Sequence, residues 1–376
     1  MLKDYGNWCP EVYRSVFIDR HNDSHLRIAP CCQAASKLES VDTFEFSTSP
    51  YLNQLRDQFN LGQRPSACNA CWSVEKHGHK SRRHSAIEFF QDSTPDLTVQ
   101  LQGIDYSATW ACNSACIMCS PKNSSLWATE SNLDRDNLKL LGRYFQKSNN
   151  FLDLVDTSNI KKIHFNGGEP MLNNDQLDLL LKLEEQGVLK NTFISYNTNG
   201  TVMPSKKIID LWKRARLVKI FFSIDAVEMG FEYVRWPGNW SQTSQNILDM
   251  RANLPTNVMF GFNTTIGSYN LLEIQEVYNW FEQNIKSNRE GDESDFCWQL
   301  ATNFDPANVS KIIKMQAINQ LKSIADLHGL VRYLNSTLHN PGNNSWITKL
   351  NKIDSQRNTN WKTALKIAKF IEESHC

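Results

Sequence analysis

The chain has 376 residues, enough for a core of about 200–250 residues plus a smaller module. Its 40 basic and 40 acidic side chains cancel, which argues against a nucleic-acid binder relying on bulk charge. No apolar run approaches the roughly 18 residues of a membrane span. The first residues, MLKDYGNWCPEVYRS, lack the basic and apolar regions of a signal peptide, so a cytoplasmic protein without a membrane is expected.

In the reducing cytoplasm, ten cysteines need an explanation other than disulfides. Eight of them (Cys9, Cys31, Cys32, Cys68, Cys71, Cys112, Cys116 and Cys119) fall in the first third of the chain, which reads as metal or cluster ligation. Cys297 and Cys376 stand apart.

Residues 1–95 are rich in turns and poor in apolar blocks. Residues 19–29 suit a short hairpin, and 50–60 carry apolar residues at helical spacing. A region of this composition builds little core, so a metal centre is a plausible staple. The proposed ligands are Cys9, Cys68, Cys71 and Cys32, with Cys31 as the alternative to Cys32. The Cys68-x2-Cys71 turn presents both sulfurs to one metal. Structural zinc and a second iron–sulfur cluster both satisfy four thiolates. The basic run 76–84 (KHGHKSRRH) reads either as a solvated segment or as a patch gripping a substrate carboxylate or peptide.

From residue 98, strand-like runs at 99–107, 162–166, 193–197, 218–224, 258–265 and 296–302 alternate with helical ones. The helical runs lie at 135–147, 175–185, 206–214, 243–253 and 271–283. Such alternation implies a parallel sheet with right-handed crossovers. No G-x-G-x-x-G follows the first strand, so the fold class is α/β, a partial (β/α)6 TIM-like barrel over 96–305. It is preceded by the cysteine-rich module at 1–95 and followed by a helical extension at 306–376, with helices at 312–328 and 361–373.

Cys112-Asn113-Ser114-Ala115-Cys116-Ile117-Met118-Cys119 follows the first of these strands, where barrel chemistry sits. Three thiolates at this spacing suit a cuboidal iron–sulfur cluster with one iron open, whereas closed zinc needs a fourth ligand. Gly167-Gly168-Glu169-Pro170 follows the second strand. Its glycines let backbone approach a ligand, and the glutamate can hold an ammonium. Alone, that turn is also an ordinary strand-to-helix link.

Together these motifs resemble the radical SAM superfamily, over roughly residues 98–305. Asn197-Thr198-Asn199-Gly200, Ser223-Ile224-Asp225-Ala226 and Glu232-Tyr233-Val234-Arg235 complete the match. The N-terminal cysteines, with Cys68-Asn69-Ala70-Cys71-Trp72 and Lys80-Ser81-Arg82-Arg83, resemble the twitch module, a shortened relative of the SPASM domain. In that subgroup the module follows the barrel; here it precedes it.

The resemblance implies that Cys112, Cys116 and Cys119 bind a [4Fe–4S] cluster whose open iron takes S-adenosylmethionine (SAM). Reductive cleavage would yield a 5′-deoxyadenosyl radical that abstracts hydrogen from a peptide or small-molecule substrate, with oxidative modification or bond formation as the net result. It implies SAM contacts from Gly167, Gly168, Glu169, Asn199, Ser223, Arg235 and Thr264, and an electron donor such as flavodoxin or ferredoxin. A second [4Fe–4S] cluster would occupy the N-terminal cysteines. Plainer roles exist: Asn199-Gly200 as a turn, Ser223 as a helix cap, Arg235 as an ion pair, Cys297 as a packed thiol. If Cys297 faces the barrel interior it could donate a hydrogen atom, making the enzyme an epimerase. The reading of another class is a zinc-stapled binding module without catalysis.

Overall fold

The structure is a computed structural model. It describes residues 6–20, 26–34, 39–41, 44–76, 80–90, 96–107, 110–133, 155–172, 174–286, 294–343 and 345–372. The helix expected at 135–147 and Cys376 lie outside them.

Among the described residues, nine strands form one sheet: β1 (Ser15–Arg20), β2 (Leu26–Ala29), β3 (Glu39–Val41), β4 (Gly103–Ser107), β5 (Lys162–Asn166), β6 (Phe193–Thr198), β7 (Leu217–Phe222), β8 (Val258–Ile266) and β9 (Phe296–Leu300). Their order is β3-β2-β1-β4-β5-β6-β7-β8-β9. β1, β4, β5 and β6 pair in parallel, as do β8 and β9, while β1–β2 and β2–β3 are antiparallel. This is an α/β fold dominated by parallel pairing, consistent with a partial TIM-like barrel. The six strands expected from residue 98 onward are β4–β9, within a few residues. The hairpin expected at 19–29 is the β1–β2 pair, and β1 extends the sheet beside β4, which sequence periodicity did not reveal.

Described chain divides into two compact units. The first is Met1–Trp110, Asn132–Tyr196 and Lys206–Val218; the second is Ala111–Ser131, Asn197–Ser205 and Lys219–Cys376.

In the first unit, alternation along the strands separates two faces. Ile163, Phe165, Ile194 and Tyr196 are at most 2% exposed. Tyr196 packs on Trp212 of the helix Lys206–Trp212, whose indole N–H donates to the Tyr196 hydroxyl at 3.1 Å. The opposite face carries Asp105, His164 and Ser195, paired in register across β4, β5 and β6. Helix Pro50–Asn60 starts where predicted because Ser49 caps it, accepting from the Leu52 N–H, and Pro50 occupies its first turn.

In the second unit, Phe262 of β8 and Phe296 of β9 pack with Phe281 of the helix Ile274–Asn284, at centroid separations of 5.4 Å each. Asn263, Thr265, Cys297 and Gln299 therefore alternate to the other face, where Gln299 donates to the Thr265 hydroxyl at 3.2 Å. Helix Lys311–Leu321 carries a fully buried lysine, Lys314. Its ammonium donates to the Thr337 and Asn340 carbonyls at 2.7 and 2.9 Å, just beyond the helix His328–Ser336. Lys314→Met is expected to lower stability by about 3 kcal/mol, because both carbonyls lose a charged donor; a lower urea midpoint checks it.

Candidate functional site

The three-cysteine loop lies in the second unit, with Cys116 buried and Cys112 and Cys119 half-buried. Backbone groups anchor it: the Ala115 N–H donates to the Trp236 carbonyl at 2.6 Å and the Ile117 N–H to Val234 at 2.9 Å. Side chains brace the rest. Ser124 donates to the Ser114 carbonyl, and the Trp127 indole to the Cys116 carbonyl, both at 2.7 Å. Arg357 donates to the Ala115 carbonyl and to Glu130, both at 2.8 Å. The Asn199 amide donates to Asn113 Oδ1 at 2.8 Å and Ser114 Oγ at 3.1 Å, while its oxygen accepts from the Thr201 N–H and hydroxyl. The loop is thus positioned before any ligand arrives.

Arg235 sits against this loop. It pairs with Asp225 at 2.6 Å and directs Nη1 at Cys116 Sγ, 3.6 Å away. Asp225 also accepts from the Thr265 N–H at 2.6 Å. Burial raises the Asp225 carboxyl, with Arg235 opposing. Burial alone would lower Arg235, but Asp225 and Cys116 hold it above its ordinary value. Burial also raises the Cys116 thiol against the pull of Arg235, and Cys119 is pushed up to about 12 by burial and then by Cys116. Such thiols keep their protons at neutral pH until a metal displaces them. The polar atoms buried here without a hydrogen-bond partner include two donors, Arg235 Nε and Tyr269 Oη. Orphaned groups of this kind cost about 1–3 kcal/mol each unless something bound satisfies them. Three thiols beside two spare donors fit a thiolate-held cluster carrying an anionic ligand.

In the first unit, the turn after β5 holds Gly167 and Gly168 at φ of 80° and 53°, left-handed backbone that favours glycine. Glu169 beside them is 1% exposed, and its carboxylate accepts from the Met171 N–H at 3.0 Å.

The first unit also contains a cavity lined by Cys9, Cys31, Cys68 and Cys71, together with Glu11, Arg82 and Arg83. Cys9 precedes the helix Glu11–Arg14, Cys31 follows β2, and Cys68 and Cys71 belong to the turn and helix over 66–76. Burial raises all four thiols, Cys68 to about 12. Cys32 does not line this cavity. Its N–H donates to Asp105 Oδ2 at 3.2 Å, and its sulfur accepts from Arg82 Nη1 at 3.4 Å. Among the described residues, no group of three His, Cys, Asp or Glu side chains is gathered tightly enough to hold a single ion. The four thiols surround a space instead. Arg82 Nε and Glu11 Oε2, both on residues of the cavity wall, are buried without a hydrogen-bond partner.

The Radical SAM superfamily model matches residues 106–281. That segment is a radical SAM superfamily domain. Similar proteins include the GTP 3′,8-cyclase of Petrotoga mobilis, 27% identical over 43% of this chain and 49% of that protein. The GTP 3′,8-cyclase of Campylobacter lari is 26% identical over 42% of this chain and 46% of that protein. The chain thus matches about half the length of these curated relatives. Among solved structures, native anSMEcpe with bound AdoMet is similar at a TM-score of 0.39, with 17% identity over 59% of each chain.

The radical SAM domain spans the cysteine loop and places the sequence-predicted residues in differing surroundings. Arg235 touches Cys116, whereas Asn199 is committed to bracing the loop. Ser223 is half-buried, its N–H donating to the Thr198 carbonyl at 2.8 Å. Thr264 is fully buried on the same face of β8 as Phe262, its hydroxyl donating to the Ile224 carbonyl at 2.8 Å. Cys297 is exposed on the face it shares with Gln299. Of the basic run 76–84, residues 77–79 lie outside the described residues, but Arg83 and His84 are buried and Arg82 lines the cysteine cavity. Sequence reasoning named Arg82 only within the basic run and the Lys80-Ser81-Arg82-Arg83 motif, and did not single out Asp105, Tyr269 or Arg357. For Asp105 a signal exists: a lone carboxylate inside an apolar strand pattern.

Proposed function

We propose that the protein is a radical SAM enzyme with two iron–sulfur centres, acting in the cytoplasm on a peptide or small-molecule substrate. The observation that carries this reading is the braced loop holding Cys112, Cys116 and Cys119 beside Arg235 and its unpartnered Nε. Cys112, Cys116 and Cys119 would hold the first [4Fe–4S] cluster, and Glu169 with the Gly167-Gly168 backbone would hold the SAM ammonium. When bound, these groups supply a 5′-deoxyadenosyl radical for hydrogen abstraction. The chain's own part is to orient them and to keep water out. Arg235, fixed by Asp225, holds positive charge against a cluster thiolate, and Asn199 and Arg357 keep the loop from moving. Cys9, Cys31, Cys68 and Cys71 would hold the second cluster, with Cys31 taking the position that sequence alone left between Cys31 and Cys32. A closed set of four ligands suits electron transfer with substrate oxidation. A flavodoxin- or ferredoxin-like protein would supply electrons.

A second reading is favoured by one feature, the exposed thiol of Cys297 on the polar face of β9. There its S–H bond could supply a hydrogen atom to a substrate carbon radical, giving net epimerisation and leaving a thiyl radical that one electron from the flavodoxin- or ferredoxin-like donor and a proton restore to the thiol.

Anaerobic reconstitution with iron and sulfide counting tests the proposal: about eight irons per chain are expected for two cubane clusters, with reductant-dependent cleavage of SAM. A colourless protein holding zinc would overturn it in favour of a stapled binding module. Deuterium appearing in 5′-deoxyadenosine from labelled candidates then identifies the substrate. Cys297→Ala is expected to keep that deuterium transfer in either case. Loss of product with retained transfer selects epimerisation, and full turnover removes it.

A further inference from the structure

The wall of the four-cysteine cavity carries two arginines whose commitments differ. Arg83 grips Glu75 with two bonds, Nε to Oε1 at 2.9 Å and Nη2 to Oε2 at 2.7 Å. Its Nη1 donates to the Trp8 and Gly6 carbonyls at 2.8 and 3.0 Å, and its guanidinium lies over the Trp72 ring, 4.8 Å from the centroid. Arg83 is thus a structural tie whose charge is matched by Glu75. Arg82 is arranged differently. Nη2 meets Asp105 at 2.6 Å and lies 3.4 Å from Glu11, Nη1 donates to Cys32, and Nε is buried with no partner. Glu11 is further matched by Lys162 at 2.6 Å.

We propose that Arg82 tunes the reduction potential of the centre held by Cys9, Cys31, Cys68 and Cys71, with Asp105 holding Arg82 in place as a positioning residue. The inference rests on the cluster assignment made above for this cavity. Four thiolates make any iron–sulfur cluster there anionic, and one-electron reduction adds a further negative charge. A fixed cation and an N–H donor on the wall stabilise the reduced form more than the oxidised one, which raises the potential. An arginine suits this because its charge does not titrate. Asp105 acts in the opposite sense, since its carboxylate offsets the Arg82 charge while fixing its geometry. Asp105 also stands in register with His164 and Ser195, so the same ion pair joins the cysteine cavity to the polar face of β4–β6.

The test uses the full chain carrying Cys112→Ala, Cys116→Ala and Cys119→Ala, so that the cavity holds the sole cluster, reconstituted anaerobically and titrated by EPR against redox mediators. Arg82→Gln is expected to shift the midpoint to more negative potential, Arg82→Lys to shift it less, and Asp105→Asn to shift it to more positive potential, all at unchanged iron content. Opposite signs for Arg82→Gln and Asp105→Asn separate tuning from general loosening of the cavity. Unchanged midpoints, or shifts of one sign in both variants, overturn the assignment. Should Arg82→Gln fail to assemble a cluster, the Arg82→Lys and Asp105→Asn midpoints decide. A background protein without iron overturns the cluster assignment itself, and the role of Arg82 with it.

Discussion

Cys116→Ala is expected to abolish reductant-dependent formation of 5′-deoxyadenosine and to remove about four irons per chain from the reconstituted protein. Among the three loop cysteines, Cys116 is the buried one, and its sulfur is the one that Arg235 addresses. Removing the thiol takes away one ligand and leaves the Arg235–Asp225 pair facing a void. With two half-buried thiols left, a three-iron attachment is incomplete. The loop itself should survive, because its anchors are the Ala115 and Ile117 backbone and the Asn199 and Arg357 side chains, none of which uses the Cys116 sulfur. Iron counting with circular dichroism checks both halves: native secondary structure with half the iron is the expected result. Retained cleavage of SAM would remove the loop from the chemistry. Arg235→Lys offers a milder companion. A lysine keeps the charge but cannot span Asp225 and Cys116 with one planar fork, so activity should fall by at least tenfold while iron content stays near wild type.

The sequence was legible wherever periodicity or a fixed motif carried the information. Strand β5 and the helix Asp175–Glu185 fall on their expected limits because apolar residues alternate in the first and recur at helical spacing in the second. The cysteine loop and the Gly167-Gly168-Glu169-Pro170 turn were readable because each packs its chemistry into a few consecutive residues. What escaped were functions made by residues distant in the chain. Arg357 reaches Ala115 across 242 positions, and nothing in its local pattern marks it. Arg82 was legible as part of a basic run, read as solvated or as a substrate-gripping patch, but not by its partners, since Glu11, Asp105 and Cys32 come from three other segments. Asn199 was legible as a residue near the site but not as a brace, because the polar groups that saturate it, on Asn113, Ser114 and Thr201, come from two segments. The parallel pairing of β1 with β4 was also hidden. A six-residue strand before a cysteine-rich stretch carries no mark of its partner, since pairing is settled by the sheet it joins.

The choice between the adjacent cysteines gives the sharpest separation. Cys31→Ala is expected to cost about four irons and the electronic signature of the second cluster, whereas Cys32→Ala should retain both. Spacing cannot distinguish the two residues, but their surroundings do. Cys31 follows β2, packs with Phe17, Ala29 and Ala34, and lines the cavity shared with Cys9, Cys68 and Cys71. Cys32 begins the next turn, where its N–H is held by Asp105 and its sulfur by Arg82. Cys31 lies in the bend after β2 and Cys32 opens the tight turn Cys32–Ala34, so one residue lines the cavity while its neighbour meets the ion pair. In Cys32→Ala the backbone bond to Asp105 persists, and Arg82 loses a weak sulfur contact while keeping Asp105 and Glu11. In Cys31→Ala three thiolates remain around a space made for four, and burial that raises each thiol then works against deprotonating the rest. Iron and sulfide counts on both variants, prepared side by side, decide the matter; loss of iron in Cys32→Ala with retention in Cys31→Ala would reverse the assignment.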